Sequence, residues 1–257
     1  EYGNMIKLGA IALATLALIE HPYRSKEFKR PERRMLTMMD HLWQPSGEFI
    51  TLYKPHTRGR AANFYPGEAL LTWSFLLEEK LDKKLLKQFM KSFEWYRAWH
   101  LDPKHRNPAF IPWHTQAYRR VWEKTRDPEL AAFVFEMNDW LVEIQEWEEQ
   151  SVEDTRGRFY EQPYGPPNAS STGVYLEGLI AAYRMAETLG ESERQERYRV
   201  AIVRGLRSLM QLQFVDDVDM FYIPLELRPR VQGGLRTTVY DNKIRCDNVQ
   251  HSLMAAL

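Results

Sequence analysis

Between Asn168 and Glu187 the chain reads as a helix that is apolar on almost every face. It opens on a cluster of capping residues, Asn168-Ala169-Ser170-Ser171-Thr172, and one carboxylate, Glu177, interrupts it early. A helix apolar all round belongs inside a protein, with other helices on every side. Side-chain oxygens before its first turn predict a defined start there. This stretch is therefore predicted to be an inner helix of a layered all-helical fold, with its N-terminal end at the mouth of a pocket.

The rest of the chain alternates between such inner stretches and amphipathic ones. Residues 8–20 are nearly all apolar and are predicted to be buried on all sides. Residues 27–43 place Phe28, Met35, Leu36, Met38, Met39 and Leu42 on one face against a basic opposite face, the pattern of an outer helix. Pro66, suited to a first helical turn, opens an apolar stretch over 67–81, and an amphipathic one covers 82–100. A Pro-rich loop over 101–112 leads to an inner helix over 113–125 and an outer one over 128–150. After a long loop to residue 167 come the inner helix over 171–189, an outer helix over 191–213, and a last helix from about Asp247.

Residue matches make this a repeat. Glu68 and Glu78 bracket one inner helix as Glu177 and Glu187 bracket another, and the acids Asp82, Asp127 and Glu191 start the segments that follow. Short strand-like pieces precede inner helices at Gly47-Glu48-Phe49, Gly157-Arg158-Phe159 and Met220-Phe221-Tyr222. The predicted class is all-α: a helical-hairpin (α/α) toroid, incomplete at four hairpins plus part of a fifth, with short β pieces in the outer-to-inner loops. Residues 1–257 are read as a single domain of this kind, cut at both ends from a longer chain.

Buried helix, amphipathic helix, then a loop with a Gly-x-Phe strand piece resembles the (α/α) toroids of the six-hairpin glycosidase type. That group includes N-acylglucosamine 2-epimerase-like proteins, unsaturated glucuronyl hydrolases and the helical domain of glucuronyl C5-epimerases. The resemblance implies a carbohydrate-active enzyme, a hydrolase, epimerase or lyase, whose saccharide could contain uronic acid. It also implies that the outer-to-inner loops gather beside the N-termini of the inner helices, where unpaired N–H groups and the helix dipole favour anionic groups.

The residues predicted at that end are polar, acidic and aromatic. Glu177 and Glu68 are the candidate acid–base pair, since two carboxylates can divide proton donation and abstraction when one has a raised pKa. Glu68 also suits a first helical turn without any catalysis. Glu177 lies beyond the first turn in apolar surroundings, where an unpaired charge is costly, so it needs a function or a partner such as Arg236 or Arg245. His114 and His251 are candidate proton-transfer or hydroxyl-binding groups, and Asp247 is read as the N-cap of the last helix with a catalytic alternative. Tyr65, Trp113 and Tyr160 could stack on sugar faces, Gln116, Asn168 and Gln250 could bind hydroxyls, and Arg245 could clamp an anion. Asp241, Lys243 and Arg245 are read as a solvated loop, and Trp95, Tyr96 and Trp99 as packing on an outer helix.

Several function classes find no support. Lys+Arg and Asp+Glu stand at 35 each, so no overall field points to nucleic acid. The single cysteine, Cys246, cannot form an intrachain disulfide or a cysteine-based zinc site. No His-Glu-x-x-His spacing and no Gly-x-Ser-x-Gly turn occurs, and neither a metal nor a cofactor is called for. A terpene-cyclase reading lacks a paired aspartate-rich motif, because Asp216-Asp217-Val218-Asp219 is loop-like. Thr57-Arg58-Gly59-Arg60 is read as a loop. The apolar run after Lys7 is too short to span a bilayer; it resembles a signal peptide's apolar core but fits a core helix better, so no membrane insertion is expected. The location is read as cytoplasmic with the periplasm as alternative, since one thiol does not distinguish the two. The rival from a different class is a non-catalytic helical-repeat domain that binds a partner or supports the remainder of a longer protein.

Overall fold

A computed structural model describes residues 5–23, 25–53, 61–164 and 168–257. The loop Thr57-Arg58-Gly59-Arg60 lies outside the described residues. Two compact units divide the chain, Glu1–Phe135 and Glu136–Leu257.

In the first unit a strand piece, β1 (Ile6–Lys7), leads into α1 (Leu8–Ile19) and then α2 (Lys29–Leu42). A second piece, β2 (Leu52–Tyr53), pairs antiparallel with β1, Ile6 opposite Tyr53. Then follow α3 (Tyr65–Glu79), α4 (Lys83–Leu101), α5 (Ile111–Thr125) and the start of α6 (Pro128–Glu143), a helix in which the boundary between the units falls. The inner helices run in one direction. Thr72 Oγ1, two turns into α3, donates over 3.0 Å to the carbonyl of Ala12, one turn into α1. The Arg120 guanidinium of α5 lies 3.6 Å from the Phe75 ring centre and pairs with Glu78 of α3. The outer helix α4 runs opposite to α5, with Tyr96 beside His114 and Phe93 beside Tyr118.

Burial follows the predicted alternation for α3 and α5, whose side chains are covered over most of their length. It departs from it at α1. Only Leu8, Gly9, Ala12 and Thr15 are buried there, and Leu13 is 40% exposed. Packing against α2 and α3 covers one side of α1, so an all-apolar sequence is not buried on all sides. Among the described residues no helix is long and apolar enough to cross a membrane.

The second unit takes the end of α6, then α7 (Ala169–Leu189), α8 (Ser192–Met210), a short α9 (Arg228–Val231), strands β3 (Arg236–Thr238) and β4 (Asp241–Ile244), and α10 (Cys246–Ala256). Leu176 of α7 rests on Gly205 of α8, and Gln195 donates to the Tyr183 hydroxyl. The two helices are therefore antiparallel. By contrast α7 and α10 run the same way: Ser170 meets Asp247 near both starts, and Gly173 meets His251 one turn on.

Among the described residues, three of the four outer-to-inner loops, all but the one between α4 and α5, carry one recurring device. A residue just past an outer helix makes a β-bridge to a residue two positions after a glycine: Trp43 to Phe49, Gln145 to Phe159, Gln213 to Leu235. The glycines, Gly47, Gly157 and Gly233, hold φ of +100°, +95° and +81°. The third copy is thus Gly233-Gly234-Leu235 and not Met220-Phe221-Tyr222, which lies in turns; the bridge needs a backbone conformation that glycine adopts without steric cost. Gln145 explains why α6 stops at Glu143 rather than near residue 150. Its side-chain amide donates to the carbonyls of Gly157 and Ala201, tying the chain into the loop. Asp241 and Lys243 lie on β4 of an antiparallel hairpin, Arg236 opposite Ile244, and not in a loop.

Among the described residues the architecture is four hairpins, α1/α2, α3/α4, α5/α6 and α7/α8, followed by the inner helix α10 of a fifth. This is an incomplete (α/α) toroid with short strands in its outer-to-inner loops.

Candidate active site

The N-terminal end of α7 is built as its capping residues predict. The Asn168 side chain accepts from the Ser171 backbone N–H at 2.9 Å and from its hydroxyl at 3.2 Å, and α7 ends at Gly190 in the left-handed conformation. At the start of α10 the N-cap position belongs to Arg245, without a side-chain cap. Asp247 therefore lies inside the first turn, contrary to the expected cap. Arg245 binds it through two parallel contacts, Nε to Oδ1 at 2.9 Å and Nη2 to Oδ2 at 2.5 Å. This guanidinium holds the Asp247 carboxyl below its ordinary value against the opposing effect of desolvation. The Ser170 hydroxyl donates to Asp247 Oδ2 at 3.4 Å, linking the two helix starts.

Two turns deeper, Glu177 Oε1 lies 2.7 Å from His251 Nδ1, with the side chains only 10% and 13% exposed. The partner that a buried Glu177 requires is this histidine, and neither suggested arginine supplies it. Arg245 is engaged with Asp247, and Arg236 Nη2 donates to the Gln211 carbonyl. A carboxylate beside Nδ1 places the proton on that nitrogen and assigns the exchangeable lone pair to Nε2. Gln250, next in sequence, is exposed.

Tyr160 lines a cleft of about 550 Å³ in the same unit. Its ring lies 5.0 Å from the Arg158 guanidinium, which pairs with Glu146. Glu143, Glu161 and Gln145 also line the cleft, and Tyr240 reaches it from the turn between β3 and β4, 85% exposed. The sequence reading missed Tyr240. The available signal was an aromatic at the end of a β-favouring run, Thr237-Thr238-Val239-Tyr240, followed by the turn-type pair Asp241-Asn242. Asn168 borders a much smaller cavity of about 20 Å³ with Thr172, Thr237 and Arg158, which is room for about one water.

The first unit holds the other predicted residues. Tyr65 and Glu68 occupy the first turn of α3, with Glu68 buried, and Trp113, His114 and Gln116 occupy the first turns of α5. His114 is fully enclosed. Its ring stacks on Phe110 at 3.6 Å, its Nδ1 lies 2.8 Å from the Phe110 carbonyl, and burial pushes its pKa down to about 3. It is a neutral imidazole at neutral pH, with Nδ1–H as donor. Among the described residues no group of three or more His, Cys, Asp or Glu side chains is placed to hold a metal ion.

No protein-family model and no curated protein sequence matches the chain. A solved structure does: a sugar epimerase from a ruminal bacterium, with a TM-score of 0.65 and 10% identity, covering 98% of this chain and 74% of that chain. The shared fold is that of an (α/α) toroid of helical hairpins, incomplete in this chain. At this identity the likeness carries the backbone architecture and leaves the chemistry to this chain's own residues.

Proposed function

We propose that the protein is a carbohydrate-active enzyme that moves a proton at a sugar carbon, with Glu177 and His251 as its acid–base couple. The observation that carries this reading is the 2.7 Å contact between Glu177 Oε1 and His251 Nδ1 inside a largely apolar helix pair. In this role Nε2 of His251 takes the proton from a carbon next to a carbonyl or carboxylate, and Glu177 steadies the imidazolium that results. Protonation of the resulting carbanion on the opposite face by water gives an epimer, with the proton on Nε2 then lost to solvent, and departure of a neighbouring substituent gives a lyase product. Glycoside hydrolysis by paired carboxylates is the weaker fit, because Glu177 is committed to a histidine. Tyr160 and Tyr240 offer ring faces to a saccharide in their cleft, while Ser170, Asp247 and Asn168 suit hydroxyl binding at the helix starts. Tyr65, Glu68, Trp113 and Gln116 offer polar and aromatic groups in the first turns of α3 and α5, separately in the first unit, whereas the enclosed His114 supports them from behind and does not reach a sugar.

The experiment is proton exchange. Reducing sugars and uronates are incubated with the protein in D2O, and loss of the C–H signal next to the carbonyl is followed by NMR. The wild type is expected to exchange at least one of them, and Glu177→Gln and His251→Asn to slow it by roughly 10²–10⁴-fold. Exchange that is equal in all three proteins would remove the couple from the mechanism. Absence of exchange and of any saccharide product favours the rival reading, a non-catalytic repeat domain in which Glu177 and His251 are a buried structural pair.

A further inference from the structure

At the crossings of consecutive inner helices, a glycine on one helix lies under candidate site residues of the next. Gly9 of α1 lies beneath Tyr65 and Glu68, so close that a Cβ there would collide with both side chains. A Cβ on Gly67 of α3 would stand 2.6 Å from Trp113 Cβ and 2.8 Å from His114 Nδ1. A Cβ on Gly173 of α7 would stand 2.8 Å from both the His251 carbonyl carbon and the Ser252 nitrogen, and 2.9 Å from His251 Cβ. Alanine is the better residue for a helix interior, so close backbone approach is the physical reason for glycine at these places. The third case is the most demanding, because the obstructing atoms are backbone and cannot rotate away.

We propose that Gly173 is a positioning residue: it sets the distance between α7 and α10 that brings His251 Nδ1 onto Glu177 Oε1, with Gly9 and Gly67 as equivalent seats for Tyr65/Glu68 and Trp113/His114. Glu177 stands one turn beyond Gly173 on α7, so the seat and the carboxylate share one helix face. Any outward shift of α10 at the seat lengthens a contact that is now 2.7 Å. A hydrogen bond fails within less than an ångström of such lengthening. The proposal builds on the Glu177–His251 couple of the proposed function, but its test needs no substrate.

The test reads the His251 tautomer by nitrogen-15 NMR of the full chain at a pH where the ring is neutral. Wild type is expected to show mainly the Nδ1–H form. Gly173→Ala is expected to lower the ratio of Nδ1–H to Nε2–H by roughly tenfold, the loss of one charge-assisted hydrogen bond, while circular dichroism shows the helices intact. Glu177→Asp supplies the second variant, and it decides the matter if Gly173→Ala does not fold. It withdraws the carboxylate by one methylene and leaves the seat alone. If the seat fixes α10, His251 cannot follow and the ratio falls; if α10 is free to follow, the ratio stays at its wild-type value. An unchanged ratio in a folded Gly173→Ala protein, or in Glu177→Asp, overturns the proposal. Failure of the sugar exchange experiment would leave these ratios untouched, so the two readings fail separately.

Discussion

The Tyr198 hydroxyl of α8 donates to Asp139 Oδ1 of α6 over 2.7 Å, and the same carboxylate receives Arg194 and Arg197. Tyr198 is wholly buried, and burial raises its pKa, so its hydroxyl needs this acceptor. Asp139→Ala should destabilise the protein by about 2–3 kcal/mol, since it removes a charged acceptor from a buried hydroxyl and the anion between two guanidinium groups. Tyr198→Phe should cost only about 1 kcal/mol, because it removes the donor and leaves Asp139 with its arginines. Urea unfolding of the two variants checks the order; equal losses would mean the hydroxyl has another acceptor.

Gly157 and Gly190 both hold positive φ, at +95° and +73°, but only Gly157 faces an obstacle. A Cβ on Gly157 would run into the Arg204 carbonyl of α8, whereas nothing lies within 4 Å of one on Gly190. Gly190→Ala should therefore cost the backbone strain alone, about 1–2 kcal/mol. Gly157→Ala should cost that strain plus the displacement of a packed helix, about 3 kcal/mol or more. Thermal unfolding of the pair measures the difference. Losses within about 0.5 kcal/mol of each other would show that the loop can retreat from α8.

What the sequence made legible is local. The cap at Asn168, the proline in the first turn of α3 and the burial of α3, α5 and α7 follow from composition and spacing over a few residues. The errors have one physical origin, in contacts between distant segments. Glu177 and His251 are 74 residues apart, and no periodicity reveals which inner helices cross. Asp247 looked like a cap because aspartate favours that position, but the helix starts one residue earlier, at Cys246, and from its first turn Asp247 meets Ser170, 77 residues away. Phe221 resembled the repeated strand piece by its aromatic alone, while the backbone of Gly233 decided which segment pairs with Gln213. Nothing in the apolar sequence of α1 distinguished a helix packed on one side from one packed all round.

Acid should weaken the first unit through two buried histidines. Burial pushes both His100 and His114 down to about 3, from 6.5 in the unfolded chain. The folded form keeps them neutral while the unfolded form takes up protons below pH 6.5, so stability is complete above that value. It is lost as pH falls from about 6.5 toward 3, by up to about 1.4 kcal/mol per pH unit for each histidine. Urea midpoints between pH 7.5 and 5 should fall accordingly, and His114→Gln should lower the stability at pH 7.5 but flatten the slope by about half. A slope that His114→Gln leaves unaltered would assign the acid sensitivity to other groups.

Tyr240 separates recognition from stability better than any other residue in the cleft. At 85% exposure its ring contributes little to folding, and its place at the turn between β3 and β4 leaves the strand pairing to its neighbours. Tyr240→Ala should thus leave the unfolding midpoint within about 0.5 kcal/mol of wild type. If the cleft holds a sugar ring between Tyr240 and Tyr160, the same change should weaken saccharide binding by about tenfold, the worth of one aromatic face. Tyr160→Ala should weaken binding similarly but also loosen the loop, because its ring packs against the Arg158 guanidinium. Titration of a saccharide that passes the exchange screen, followed by NMR line shifts, measures both effects. Binding that survives Tyr240→Ala and Tyr160→Ala alike would move the saccharide out of this cleft and back to the helix starts around Asp247 and Ser170.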